Sequence, residues 1–231
     1  YEALADAGAK VINNSWGSNR KVNSAFKGAT GYKPSYGLRH IDEYNTDIRD
    51  TNGVTETNNA KDHMYLKDIN AAKKAYYQFV TSGEKSFIDA AYEVAVKRRV
   101  IQVFTAGNRS FMAESFTRAA LPYFRPDAEK YWINVTGQNG TAGYPNGSNR
   151  SGQVSDAQRF NLAGHSKWWT IAAPAAEVYS STVDLKTKQA SYASWGGTSM
   201  AAPHVSGALG VIFQRYPYMS AAQVRDTMLT T

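Results

Sequence analysis

Twice in this chain, a stretch with apolar residues at helical spacing runs directly into a short apolar segment too brief to be a helix itself. Residues 1–9 lead into 10–14, and residues 86–98, with Phe87, Ala90, Ala91, Val94 and Ala95 along one face, lead into 100–104. A helix with one apolar stripe must lay it on another surface, and a strand that is apolar on both faces must be covered twice. Further short strands are predicted at 132–135 and 170–173. The expected fold class is therefore α/β, a mostly parallel sheet flanked by helices on both faces. The closing segments read as a hairpin over 178–194 with a turn near 184–187, a buried helix over 199–214, and an amphipathic helix over 220–229 capped by Ser220. Residues 18–85, rich in Asn, Thr, Tyr and Lys with one helix near 68–79, read as an insertion, and residues 137–158 as a surface loop.

With 231 residues, of which 42% are hydrophobic and 19% charged, the chain can bury the core of one domain. No apolar run approaches the roughly 18 to 20 residues of a membrane span, and Tyr1-Glu2-Ala3-Leu4 lacks the basic-then-apolar pattern of a signal peptide. A chain that opens in a helix without a starting methionine reads as a piece of a longer precursor, with any targeting segment upstream. The net charge of +7 raises the question of nucleic acid. Basic residues are interleaved with acidic ones, however, as in Lys67-Asp68 and Glu84-Lys85. The one tight run, Lys97-Arg98-Arg99, falls at a helix end, where cations complement the dipole. No nucleic-acid partner is expected. Without cysteine there are no disulfides, no Cys-ligated zinc and no thiol catalysis.

The segment richest in chemistry is Gly196-Gly197-Thr198-Ser199-Met200-Ala201-Ala202-Pro203-His204-Val205-Ser206-Gly207. Its serine begins a helix of small residues. Free N–H groups and the dipole at a helix N-terminus favour developing negative charge, which assists both a nucleophilic hydroxyl and the oxyanion that its attack creates. Pro203 is expected near the first turn, and Ala201, Ala202, Ser206, Gly207, Ala208 and Gly210 are expected to let the helix lie close on the sheet. By itself Gly-Thr-Ser is an ordinary capping turn. The longer string resembles the nucleophile motif of the subtilisin-like serine proteases, the subtilases.

Two further segments fit the same family in the required order. Val11-Ile12-Asn13-Asn14-Ser15-Trp16-Gly17 resembles the strand and loop that line the substrate groove, and Phe104-Thr105-Ala106-Gly107-Asn108 resembles the turn with the oxyanion-hole asparagine. The resemblance implies Ser199 and Asn108 as catalytic residues, and Asn14, Ser15, Trp16, Gly17, Ala106, Gly107, Gly197 and Thr198 as substrate-binding ones. Leu121-Pro122, Ile133-Asn134-Val135, Ala172-Ala173-Pro174 and the helix around Val224 match the family's strands and connections more weakly. Read alone, Asn108 is a residue tolerating left-handed backbone in a Gly-Asn turn, and Trp16 could equally be a core aromatic.

Subtilases order their triad Asp, His, Ser, and both earlier members would lie before residue 1. None of the four histidines replaces the base. His204 lies in the nucleophile helix and is expected to turn away from Ser199, His165 falls in a connection, and His40 and His63 lie in the insertion. A serine without a base is a weak nucleophile at neutral pH. The expected parent is therefore a serine endopeptidase acting on polypeptides, whose Asp- and His-bearing segment, present elsewhere or as a separate chain, is a required partner. The isolated chain is expected to be inactive.

Residues 213–220 and 224–231 resemble the end of the subtilase domain in Gram-negative autotransporters. That resemblance implies secretion or a place on the bacterial surface, with a β-barrel translocator in the parent protein. The chemistry requires no cofactor. Subtilases often carry structural calcium, but the acidic residues between Asp42 and Asp50 match no ligand loop, so no metal ligand is named and calcium stays open. The alternative reading is a non-catalytic pseudoprotease or adhesive passenger domain that binds proteins. A GxSxG hydrolase does not fit, because Thr198 and Met200 flank Ser199 and no glycine follows at the second position.

Overall fold

The structure, a computed structural model, describes residues 1–16, 87–108, 115, 118–138, 160–184 and 186–230. The expected insertion at 18–85, and the loop at 137–158 apart from its first two residues, lie outside these residues. Four parallel strands form the central sheet in the order β1 (Val11–Asn14), β2 (Ile101–Thr105), β3 (Trp132–Gln138) and β4 (Thr170–Pro174). The register runs Val11 to Ile101, Gln102 to Trp132 and Asn134 to Thr170. All five residues of β2 are buried, as a strand covered on both faces requires.

Side-chain alternation along β2 and β3 divides the core in two. On one face Phe104 stacks on Trp132 at 4.8 Å between ring centres and packs with Ile88, Ala91 and Ala95 of α2 (Phe87–Arg98). On the other face Ile101, Val103, Ile133 and Val135 meet Ala201, Ala202, Val205 and Leu209 of α3 (Thr198–Arg215) and Val224 of α4 (Ala221–Thr230). Helices thus cover both faces, as expected. Ser220 and Gln223 form a reciprocal cap at the start of α4: Gln223 Oε1 accepts from the Ser220 N–H at 2.9 Å, and Ser220 Oγ from the Gln223 N–H at 3.4 Å.

Three expectations change. The opening helix, α1 (Glu2–Asp6), is a little over one turn long and ends well before residue 9. Pro203 is not in the first turn of α3 but at its sixth position, so Ser199, four residues earlier, lacks the usual i+4 N–H for its carbonyl. Gly207 and Gly210 do not bring α3 onto the sheet. Both are exposed, and a Cβ on either would meet nothing within 4 Å. Close packing comes instead from Ala201 and Ala202, both 0% exposed. The antiparallel hairpin of β5 (Val178–Val183) and β6 (Ala190–Trp195) follows the expected bounds within a residue or so.

Candidate active site

The carboxyl end of β2 and the amino end of α3 meet at one point. Beyond Thr105 the chain turns through Ala106 and Gly107, and Gly107 takes φ +116°, a conformation that favours glycine. This turn delivers Asn108 to α3. Asn108 Oδ1 accepts two hydrogen bonds from Thr198, from its N–H at 2.7 Å and from its hydroxyl at 2.8 Å, while Thr198 Oγ1 accepts from the Gly107 N–H at 3.3 Å. With the carbonyl oxygen engaged twice, the amide orientation is set and Nδ2 is left as the available donor, on a residue that is itself exposed.

Gly197 completes the junction at φ +148°, a conformation open essentially to glycine alone. A Cβ there would sit 3.1 Å from Asn108 Nδ2, so any side chain would crowd the same amide. Ser199 follows in the first turn of an 18-residue helix, where the N–H groups lack intrahelical partners and the dipole is positive. It is half-buried and opens on a cavity of about 450 Å³ between α3 and the β5–β6 hairpin. Met200, Pro203 and His204 line that cavity from the helix, and Tyr179 and Trp195 from the hairpin.

His204 lines the same cavity as Ser199. Its Nδ1 lies 2.7 Å from the Met200 carbonyl, which can only accept, so Nδ1 carries the proton and the ring is drawn back along its own helix. His165 stands elsewhere, edge-on to Tyr123 at 5.1 Å. His40 and His63 lie outside the described residues. No cluster of three or more metal-ligating side chains occurs among the described residues.

On the β1 side, Asn14 Oδ1 accepts from the Tyr1 hydroxyl at 2.6 Å and from Trp16 Nε1 at 3.2 Å, and Asn14 Nδ2 donates to Gln102 Oε1 at 3.2 Å. Trp16 meets Phe104 edge-on at 5.7 Å and carries the Arg118 guanidinium over its ring at 5.5 Å. It is half-buried, at once core aromatic and surface. Of the residues expected to line a groove, Ser15 and Trp16 reach the surface. Asn14, Ala106, Gly107, Gly197 and Thr198 are buried. Gly17 lies outside the described residues.

Burial gives Thr198 the role of a clamp on Asn108, which the motif alone does not convey. The hairpin's part in the cavity was also missed. Its signal is the pair of exposed aromatics Tyr179 and Trp195, the second of them directly before the Gly196-Gly197 turn.

The model of the Subtilase family (peptidase S8) matches residues 1–231. An extracellular serine protease of Serratia marcescens is 26% identical over 100% of this chain, which spans 21% of that relative. The autotransporter lipoprotein NalP of Neisseria meningitidis serogroup B is 25% identical over 99% of the chain, which spans 18% of it. Among solved structures, sphericase overlays at a TM-score of 0.38 with 22% identity, over 69% of this chain and 53% of sphericase. The chain thus spans about a fifth of the length of these two relatives.

Proposed function

This chain belongs to the subtilase family of serine proteases, and from that premise we propose that it is the serine-bearing part of an endopeptidase whose Asp and His come from a segment outside it. The observation that carries the reading is the junction of Ser199 with Asn108. The helix-borne hydroxyl directly follows Thr198, which fixes the oxygen of the Asn108 amide and leaves the N–H₂ group as its available donor. In the proposed reaction Ser199 Oγ attacks the peptide carbonyl while a histidine outside the chain takes its proton. Asn108 Nδ2 and the Ser199 N–H hold the oxyanion, and the tetrahedral species collapses to an acyl-enzyme. The leaving amine receives the proton from the histidine, and water then releases the acid by the same route. The polypeptide substrate lies extended along Ser15 and Trp16.

Two features support a completing segment. Helix α3 has no Asp, Glu, Lys or Arg before Arg215, yet its outer face exposes Pro203, His204, Gly207, Gly210 and Val211, and a helix without a charged face is suited to burial. Strand β1 also ends the described sheet, with a buried Ile12 and, among the described residues, no strand on its outer side. Such an edge is ordinarily paired or covered. The names of the relatives, an extracellular protease and an autotransporter lipoprotein, support secretion or a place on the bacterial surface and a β-barrel translocator in the whole protein.

The test is labelling by a fluorophosphonate, read by intact mass on this chain and on a longer protein that includes the residues before Tyr1. The expected result is one adduct at Ser199 in the longer protein and none in this chain alone. A longer protein that folds, carries Asp and His, and still resists labelling would favour the non-catalytic passenger reading.

A further inference from the structure

At the opposite end of the sheet from Ser199, where β1 and β2 begin, a second cavity of about 430 Å³ opens between α1, the carboxyl ends of α2 and α3, and the start of α4. Its size falls within the roughly 300 to 1,000 Å³ usual for small-molecule sites. Three cations rim it: Lys10 ahead of β1, Arg98 at the end of α2, and Arg99 immediately after. Phe213, Pro217 and Met219 line it as an apolar wall.

The needs of the fold do not account for this charge. Lys97 and Arg98 already occupy the last turn of α2, which serves its negative end, and Arg98 is paired with Asp6 at 2.5 Å. Arg99 comes after the helix and is held at φ +56°, where glycine or asparagine would be more at ease. Lys10 arrives from a different element altogether. No ion pair joins Lys10 or Arg99 to another described residue. The amino end of α4, ten residues long, adds positive partial charge through Ser220 and Ala221, which also line the cavity.

We propose that this cavity binds an anionic amphiphile, with a single phosphate or carboxylate head held by Lys10 and Arg99 and a short apolar tail laid against Phe213, Pro217 and Met219. The head could belong to a free molecule or to a membrane lipid, and the shared chemistry is one anionic group on an alkyl chain. The site is remote from Ser199 and independent of the protease reading.

Calorimetric titration of the 231-residue chain with octyl phosphate tests it. Octyl phosphate is expected to bind, with inorganic phosphate and octanol each at least about tenfold weaker, and affinity should rise about fourfold for each methylene buried along an alkyl phosphate series. Lys10→Gln and Arg99→Gln should each weaken binding about fivefold to tenfold, and added salt should weaken it further. Arg99→Asn removes the same charge while easing the backbone, so its loss of binding cannot be put down to misfolding. Ser199→Ala should bind like the parent. Co-sedimentation with phosphatidylglycerol vesicles, reversed by octyl phosphate, identifies a lipid head as the source, whereas octyl phosphate binding without co-sedimentation identifies a free amphiphile. The proposal is overturned if inorganic phosphate binds as tightly as octyl phosphate, if the Lys10 and Arg99 variants bind it unchanged, or if no binding is seen at millimolar ligand.

Discussion

One face of α3 sets Ala201, Ala202, Val205 and Leu209 against the sheet, each at most 1% exposed. The opposite face carries Pro203, His204, Gly207, Gly210 and Val211, little more polar than the first, yet it stands in solvent with Val211 64% exposed. Amphipathic helices normally separate apolar from charged residues, and α3 does not. Its composition is that of a helix packed all round, but the described residues supply packing on one side only. Ser199 stands in the first turn of this helix, directly after Thr198, whose bonds to Asn108 tie the start of α3 to the turn after β2.

The largest effect expected from this contrast is on turnover. In a longer protein that supplies Asp and His, Ser199→Ala should abolish peptide hydrolysis. Loss of the serine costs subtilisin, a member of the same family, about 10⁶-fold in kcat, a value that belongs to subtilisin and was not obtained for this chain. The folding midpoint should be unmoved. Next comes stability on the two faces. Leu209→Ala should destabilise this chain by about 2 to 5 kcal/mol in urea unfolding, through lost burial and a residual cavity. Val211→Ser should stay within about 0.5 kcal/mol, as for an exposed site. In the longer protein Val211→Ser should become distinctly destabilising. If it stays neutral there, the outer face of α3 is free surface and the contrast with Leu209 reflects composition alone.

Much of what depended on periodicity was legible in the sequence. The apolar run 100–104 became the buried centre of the sheet because a strand covered on both faces admits little else, and the capping pair Ser220 and Gln223 has a local signature. Orientation about α3 was less readable. Small residues recur around the whole helix, so Gly207 and Gly210 could not be told from Ala201 and Ala202 until the sheet set the rotation. In the same way, the motif named Thr198 but not its burial, because its partners Gly107 and Asn108 are 91 and 90 residues away. The short α1 had too few turns for its spacing to show where it ends.

The junction behind Ser199 can be probed from both of its ends. Gly197→Ala forces a side chain into φ +148° and toward Asn108 Nδ2, and should destabilise the chain by about 1 to 3 kcal/mol. Thr198→Val keeps the shape but removes the hydroxyl that donates to Asn108 and accepts from Gly107, for about 1 to 3 kcal/mol of lost stability. In the longer protein Thr198→Val should lower kcat more than it raises KM, because a loosened Asn108 fails chiefly in the transition state, while Thr198→Ser should retain most activity. A stability loss with kcat intact would make the clamp purely structural.

The smallest effect lies on the β1 side, beneath Trp16. Burial pushes the Tyr1 hydroxyl up to about 12, against the smaller opposing influences of Trp16 and of the Arg118 charge. An acid whose pKa is raised on folding holds its proton more tightly in the native state. Its contribution is therefore complete below the ordinary tyrosine value near 10 and is lost as pH climbs from there toward 12. Urea midpoints measured across that interval should fall more steeply for the parent than for Tyr1→Phe, which cannot ionise. Tyr92 is also raised, chiefly by burial and then by its hydrogen bond to Asp127, so Tyr92→Phe is the matched control at a site away from the groove. If the Tyr1→Phe midpoint tracks the parent through this range, the Tyr1 to Asn14 bond does not steady the strand that leads into Trp16, and the β1 side of the site must draw its rigidity from the Phe104 and Trp132 stack instead.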